Sequence, residues 1–135
     1  MPRGALRRRA GKTEARDVAL DLLCEAERPG ARVDDRLRAY ESRCGLDARD
    51  RAFVRELVYG ALRWRGRLDE ALGRHLSGSA DRLPPAVQNI LRLGAYQVLF
   101  MDRVPVWAAV NEAVGQTRRR GLGGLSGLVN GVLRN

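Results

Sequence analysis

The side chains that most often carry chemistry in proteins are few and scattered in this sequence. Cys24 and Cys44 stand 20 positions apart, and His75 is the only histidine. These three residues do not have the spacing of zinc ligands, and a nucleophilic cysteine or serine would need a base within hydrogen-bonding reach. Asp69 and Glu70 are adjacent, so on a helix they would point about 100° apart rather than act as a pair. We therefore predict no catalytic residues, no metal site and no cofactor, and hence a chain that is not an enzyme by itself.

The glycine-rich segment GLGGLSG, residues 121–127, is the other motif that could bind a ligand. A nucleotide-binding loop of this kind would follow a strand and would carry glycines in the pattern G-x-G-x-x-G. Here the glycines follow a helical pattern and have a different spacing. We interpret the segment as a loop.

The distribution of charge points to a partner. The net charge is +9, yet residues 13–112 contain 16 basic and 16 acidic side chains, so the excess lies at the two ends. The basic residues of these ends are Arg3, Arg7, Arg8, Arg9 and Lys12, and then Arg118, Arg119, Arg120 and Arg134. Such clusters favour an anionic partner, above all nucleic acid. The alternative is that they are solvated tails of an arginine-rich protein, since 24 of the 25 basic residues are arginine.

The predicted RNA contacts lie in these two ends. The run Arg7-Arg8-Arg9 lies in an arm, residues 1–12, that we expect to be flexible and to order on phosphate oxygens or unpaired bases. The run Arg118-Arg119-Arg120 closes a predicted helix, where cations also complement the helix dipole. A third basic stripe is equally compatible with phosphate binding and with an ordinary solvated face; it consists of Arg51, Arg55, Tyr59 and Arg63, followed by Arg65 and Arg67.

Helices must position these groups, because no stretch alternates as a strand would. The segment LPPAVQNILRLGAYQVLF, residues 83–100, is apolar around most of its circumference, which is typical of a buried helix. Pro84 and Pro85 suit the start of that helix. Six further helices are predicted at about residues 13–28, 33–43, 48–65, 67–76, 106–120 and 125–134. Asp47 is predicted as an N-cap, and Gly45, Gly66 and Gly121 are predicted as helix ends. The helix at 106–120 is predicted to face inward with Trp107, Val110, Asn111 and Val114. The sequence thus predicts an all-α fold of about seven helices, with the arm followed by a single domain over residues 13–135.

Three stretches of this sequence carry a family resemblance: DRAFVRELVYGALRWRGRLDEAL (50–72), LPPAVQNILRLGAYQVLFMDRVPVWAAVNEAV (83–114) and GLVNGVLRN (127–135). Together with ARDVALDLL (15–23) they resemble the NusB-type RNA-binding domain, especially the version at the N-terminus of RsmB (Sun-type) ribosomal RNA cytosine-5 methyltransferases. The resemblance implies two packed helical bundles around a central helix. It also implies RNA binding through the basic N-terminal region, here Arg7, Arg8, Arg9, Lys12 and Arg16.

The resemblance also sets the expected function and its alternatives. Enzymes of that family continue into a domain that binds S-adenosylmethionine, and we expect that domain to lie outside this chain. We therefore predict a non-catalytic module for small-subunit ribosomal RNA, serving a methyltransferase domain that is attached or acts in trans. The alternatives are a NusB-like antitermination factor with a ribosomal-protein partner, and a protein–protein docking module. Reduced thiols predict a cytoplasmic protein, and the absence of a long apolar run predicts that it does not contact membranes. We expect a monomer or a weak homodimer.

Overall fold

The computed structural model describes residues 11–135, with the side chains of all but residues 11–13 and Cys44. This part of the chain contains seven α-helices and no strand, which confirms the predicted all-α fold. The helices are α1 Gly11–Ala26, α2 Val33–Cys44, α3 Ala48–Arg63, α4 Arg65–Gly73, α5 Pro85–Phe100, α6 Val106–Arg119 and α7 Ser126–Arg134, with short 3-10 helices at Ala80–Arg82 and Gly123–Leu125. Each of the helices in residues 11–135 is too short or too polar to span a bilayer.

Glycines in the left-handed region end two of the helices, as predicted. Gly45 follows α2 with φ 64° and Gly121 follows α6 with φ 74°. At Gly121 two backbone hydrogen bonds close the helix, because Leu122 N–H donates to Thr117 O and Gly121 N–H donates to Arg118 O, each at 3.0 Å. This pair of bonds is the Schellman motif, in which the residue at the turn needs a positive φ.

The junction between α3 and α4 differs from the prediction. Asp47 caps α3 as expected, since its Oδ1 accepts a hydrogen bond of 2.8 Å from the Asp50 N–H. The predicted break at Gly66 is wrong, because Gly66 lies within α4. Only Trp64 separates the two helices, with φ −102° and ψ 17°. The chain therefore turns at the tryptophan rather than at the glycine.

The described chain divides into two compact units, with the boundary inside α3 between Tyr59 and Gly60. In the first unit α1 packs against α2. Its buried apolar residues are Ala15, Val18, Ala19, Leu20, Leu22, Leu23, Leu37, Leu46, Val54, Leu57 and Val58. The prediction that residues 13–135 form one domain stays a prediction.

Helix α5 is the centre of the second unit, as its apolar sequence predicted. It packs against α4, α6, α7 and the 3-10 helix Ala80–Arg82. Its buried residues are Val87, Asn89, Ile90, Leu91, Arg92, Leu93, Gly94, Ala95, Tyr96 and Gln97. Pro84 is the N-cap and Pro85 the first helical residue, where the missing N–H costs little.

The inward face predicted for α6 is wrong at two positions. Trp107 is 69% exposed, and Asn111 is exposed as well. The buried face runs instead through Ala109, Val110, Ala113, Gln116 and Thr117. Small alanines allow helices to approach closely, so the packing follows them rather than the largest apolar side chain.

Candidate nucleic-acid interface

The N-terminal residues predicted to bind RNA are only partly covered by the structure. Arg7, Arg8 and Arg9 lie outside the described residues. Lys12 falls in the first turn of α1, and its side chain is likewise outside the description. Arg16 is 5% exposed, and its guanidinium carbon lies 5.2 Å from the centroid of the Phe53 ring. Arg16 is therefore packed inside the first unit, and its role in RNA binding stays a prediction.

The second predicted cluster lies at the end of α6. Arg118 and Arg119 form its last turn and Arg120 its C-cap, and all three residues are exposed. The Schellman turn fixes the backbone that carries them. The helix dipole favours cations at this end of the helix. Their contact with RNA stays a prediction.

The stripe along α3, whose role was open, is mostly engaged within the first unit. Arg55 donates from Nε and Nη2 to the two carboxylate oxygens of Glu41, both at 2.8 Å. Arg51 Nη1 donates to the Leu46 carbonyl at 2.7 Å. The Tyr59 hydroxyl donates to Asp34 Oδ1. These contacts favour the solvated-surface interpretation for this part of the stripe.

The contact between Tyr59 and Asp34 predicts a stability change at high pH. The hydrogen bond to Asp34, followed by burial, raises the pKa of Tyr59 above its ordinary value of 10.0. A raised pKa in the folded state means that this stabilisation is fully present below about pH 10 and is lost as the pH rises through the folded pKa. Below about pH 10 we expect wild type to have a higher free energy of unfolding than Tyr59→Phe, and above pH 10 we expect this difference to shrink. Urea unfolding of both proteins at pH 8–11 would measure it. A constant difference up to pH 11 would contradict the assignment.

The second unit carries most of the charge of the described chain. Residues 60–135 contain eleven arginines and five acidic residues, a net charge of +6, whereas residues 11–59 contain ten basic and eleven acidic residues. Asp69 pairs with Arg92 at 2.8 Å and Glu70 with Arg74 at 3.0 Å. Even if every acid of this unit were paired, six of its arginines would have no acidic counterpart within the unit.

An arginine–aromatic cluster lies at the corner between α3 and α4. The guanidinium carbons of Arg63 and Arg67 lie 5.5 Å and 5.6 Å from the centroid of a Trp64 ring. Trp64 stacks in turn on Phe100, with ring centroids 5.3 Å apart and planes inclined by 19°. Sequence reasoning singled out the arginines here but missed the tryptophan stack, because Phe100 is 36 positions further along the chain.

In the portion of the chain that the structure describes, no three His, Cys, Asp or Glu residues come close enough together to hold a metal ion. His75 lies beyond the end of α4 and is exposed.

The fold and this surface define the class: an all-helical protein with a strongly basic second unit. The sequence profile described as the NusB family matches residues 13–135. The chain therefore belongs to the NusB family, and the predicted family resemblance is confirmed.

Two kinds of relative share this sequence. A probable ribosomal RNA small subunit methyltransferase B from Synechocystis is 38% identical over 123 residues, which are 89% of this chain and 27% of that protein. The transcription antitermination protein NusB of Thermobifida fusca is 32% identical over 131 residues, which are 96% of this chain and 91% of that protein. The chain thus spans only about a quarter of the methyltransferase relative but nearly all of the free-standing NusB protein.

Solved structures have the same fold. A crystal structure of antitermination factors NusB and NusE in complex with dsRNA contains a chain that superposes with a TM-score of 0.81 and 25% identity, covering 93% of this chain and 94% of that one. A NusB structure from T. maritima superposes with a TM-score of 0.81 at 24% identity. The second likeness concerns the fold alone.

Proposed function

We propose that this chain is an RNA-binding domain that recognises small-subunit ribosomal RNA for a cytosine-5 methyltransferase domain, either attached or acting in trans. The observation that carries the proposal is the basic second unit, with a net charge of +6. A surface of this charge attracts the phosphates of the RNA backbone. This electrostatic attraction supplies most of the affinity in non-specific nucleic-acid binding. The similarity to a methyltransferase-named protein over 89% of this chain supports the choice of ribosomal RNA.

The proposed mechanism is electrostatic capture followed by orientation. The arm, residues 1–12, and the run Arg118–Arg120 neutralise phosphates and release counterions. The helical body then fixes the direction in which the RNA leaves the domain. Methyl transfer belongs to the partner domain, and a cytoplasmic location is part of the same proposal.

A second candidate is an antitermination role beside a ribosomal protein. It is supported by the similarity to the Thermobifida fusca NusB protein, which is 32% identical over 131 residues. The solved complex of NusB and NusE with dsRNA supports a second protein beside the RNA as the partner in this role. Binding of a purified ribosomal-protein partner would distinguish this role, since the methyltransferase role does not need it.

Removing the arm is expected to weaken RNA binding and its salt dependence. If Arg7, Arg8 and Arg9 each contact a phosphate, the log–log salt slope should flatten by about two units, at roughly 0.7 per contact for single strands. The measurement compares the intact chain with residues 13–135 across a salt series, on small-subunit ribosomal RNA fragments and an unrelated RNA. A matched control changes the three arginines to glutamine and keeps the arm's length.

The outcome also separates RNA binding from the docking alternative. An intact chain that binds no RNA above non-specific levels would contradict the proposal. The docking alternative would then rest on the exposed apolar residues Leu99, Val106 and Trp107. Equal loss in the truncated and glutamine variants would assign the effect to the arginine charges rather than to the arm's length.

A further inference from the structure

The corner between α3 and α4 presents two arginines held on one tryptophan. Trp64 is the single residue between the helices, and the side chains of Arg63 and Arg67 both lie over its indole. The two guanidinium carbons lie 5.5 Å and 5.6 Å from ring centroids of the same indole, so both side chains lie at this corner. Two planar cations are thus gathered at one point of the second unit.

The N–H groups of these two arginines are available. Neither Arg63 nor Arg67 forms a hydrogen bond or ion pair with any other group in the described part of the chain. The carboxylate of nearby Asp69 is instead bound by Arg92, with N–O distances of 2.8 Å and 3.2 Å. A guanidinium that stacks on a ring keeps the N–H groups at its edge free, and that edge matches a phosphate in a two-point contact.

The platform beneath the arginines is anchored in the core. Trp64 stacks on Phe100, and Phe100 stacks on Tyr96 with centroids 5.3 Å apart and an interplanar angle of 21°. Tyr96 is only 8% exposed. Arginines positioned in advance on such a platform lose less conformational entropy when they bind, which raises affinity without adding contacts.

We propose that Arg63 and Arg67 form a phosphate-binding site for the RNA backbone, with Trp64 as the positioning residue that orients both guanidinium groups. The inference rests on the proposed RNA-binding function and adds a contact surface away from the arm. An acidic peptide would also satisfy two arginines. The net charge of +6 on this unit favours a polyanion whose charges repeat along a chain.

The test is RNA binding by the full chain and by Arg63→Gln/Arg67→Gln over a salt series, with a single-stranded small-subunit ribosomal RNA fragment as the probe. Loss of two phosphate contacts should flatten the slope by about 1.4 units, which corresponds to roughly 25-fold weaker binding at 0.1 M salt. The matched control is Arg32→Gln/Arg38→Gln, which removes the same charge from two exposed arginines that pair with Asp35. That control should leave the slope nearly unchanged.

Two further variants separate geometry from charge. Arg63→Lys/Arg67→Lys keeps the charge but loses the planar stacking, so it should keep most of the slope and still bind more weakly. Trp64→Leu should also weaken binding with little change in slope, after circular dichroism has shown that the variant is folded. Full affinity in both variants would overturn the role of the indole platform.

The outcomes distinguish this inference from the proposed function. If wild type binds RNA and the two glutamine double variants behave alike, the site is wrong and the proposed function stands. If wild type does not bind RNA, both are overturned. Binding of an acidic peptide that depends on Arg63 and Arg67, together with RNA binding that does not, would assign the site to a protein partner instead.

Discussion

Replacing Asp69 with alanine is expected to lower the free energy of unfolding by about 3 kcal/mol, because it leaves a buried guanidinium without its main counter-charge. The Arg92 side chain is 8% exposed, and it donates from Nε and Nη2 to the two oxygens of Asp69. Its Nη1 also donates to Asn89 Oδ1 at 2.9 Å. Breaking a buried pair costs about 3–5 kcal/mol, and the lower end applies because Asp69 is 42% exposed on its side of the pair.

The measurement is urea unfolding of Asp69→Ala beside Glu70→Ala. Glu70 is the next residue on the same helix and forms a surface pair with Arg74, with side chains 72% and 69% exposed. Its removal should change stability by less than about 1 kcal/mol. In an Arg92→Met background the cost of Asp69→Ala should nearly vanish, because no buried charge remains. Equal costs for Asp69 and Glu70 would contradict the buried-pair assignment.

The helices and most of their ends follow from local rules and could be predicted from the sequence. Pro84 and Pro85 start α5, Asp47 caps α3, and Gly45 and Gly121 end α2 and α6. Each of these residues acts within one turn of its own position, so the sequence shows the cause beside the effect. The buried character of α5 was likewise visible in its own composition.

The features that depend on distant partners could not be predicted in this way. Arg92 is buried in α5 and binds Asp69, which lies 23 positions away in the sequence. Trp107 was placed inward by its helical spacing from Val110, whereas the buried face of α6 contains Ala109 and Ala113 beside Val110. The arginine cluster on Trp64 needs Phe100 beneath it, and only the packing of the second unit brings that ring there.

Gly60 also has a distant partner, the Tyr96 ring. Because of it, we expect replacement of glycine by alanine to lower stability at Gly60 and to raise it at Gly131. Alanine normally stabilises a helix interior relative to glycine, by about 0.8–1 kcal/mol. At Gly60 in α3, however, a Cβ would overlap the Tyr96 ring, whereas at Gly131 in α7 it would meet nothing within 4 Å. We therefore expect Gly60→Ala to destabilise the protein by about 1–3 kcal/mol, as overpacking does, and Gly131→Ala to stabilise it. Thermal and urea unfolding of the two variants would measure this difference.

Measuring Gly60→Ala in a Tyr96→Ala protein shows whether the Tyr96 ring causes the loss of stability. In a Tyr96→Ala protein the atoms that a Cβ at Gly60 would meet are gone, so Gly60→Ala should become neutral or stabilising there. The difference between the two backgrounds is the coupling energy of the pair, and it should be about 2 kcal/mol or more. The same cost of Gly60→Ala in both backgrounds would place the strain elsewhere in α3. Because Tyr96 also supports the stack of Phe100 and Trp64, the Gly60→Ala variant that displaces this ring should weaken RNA binding at the Arg63–Arg67 site as well.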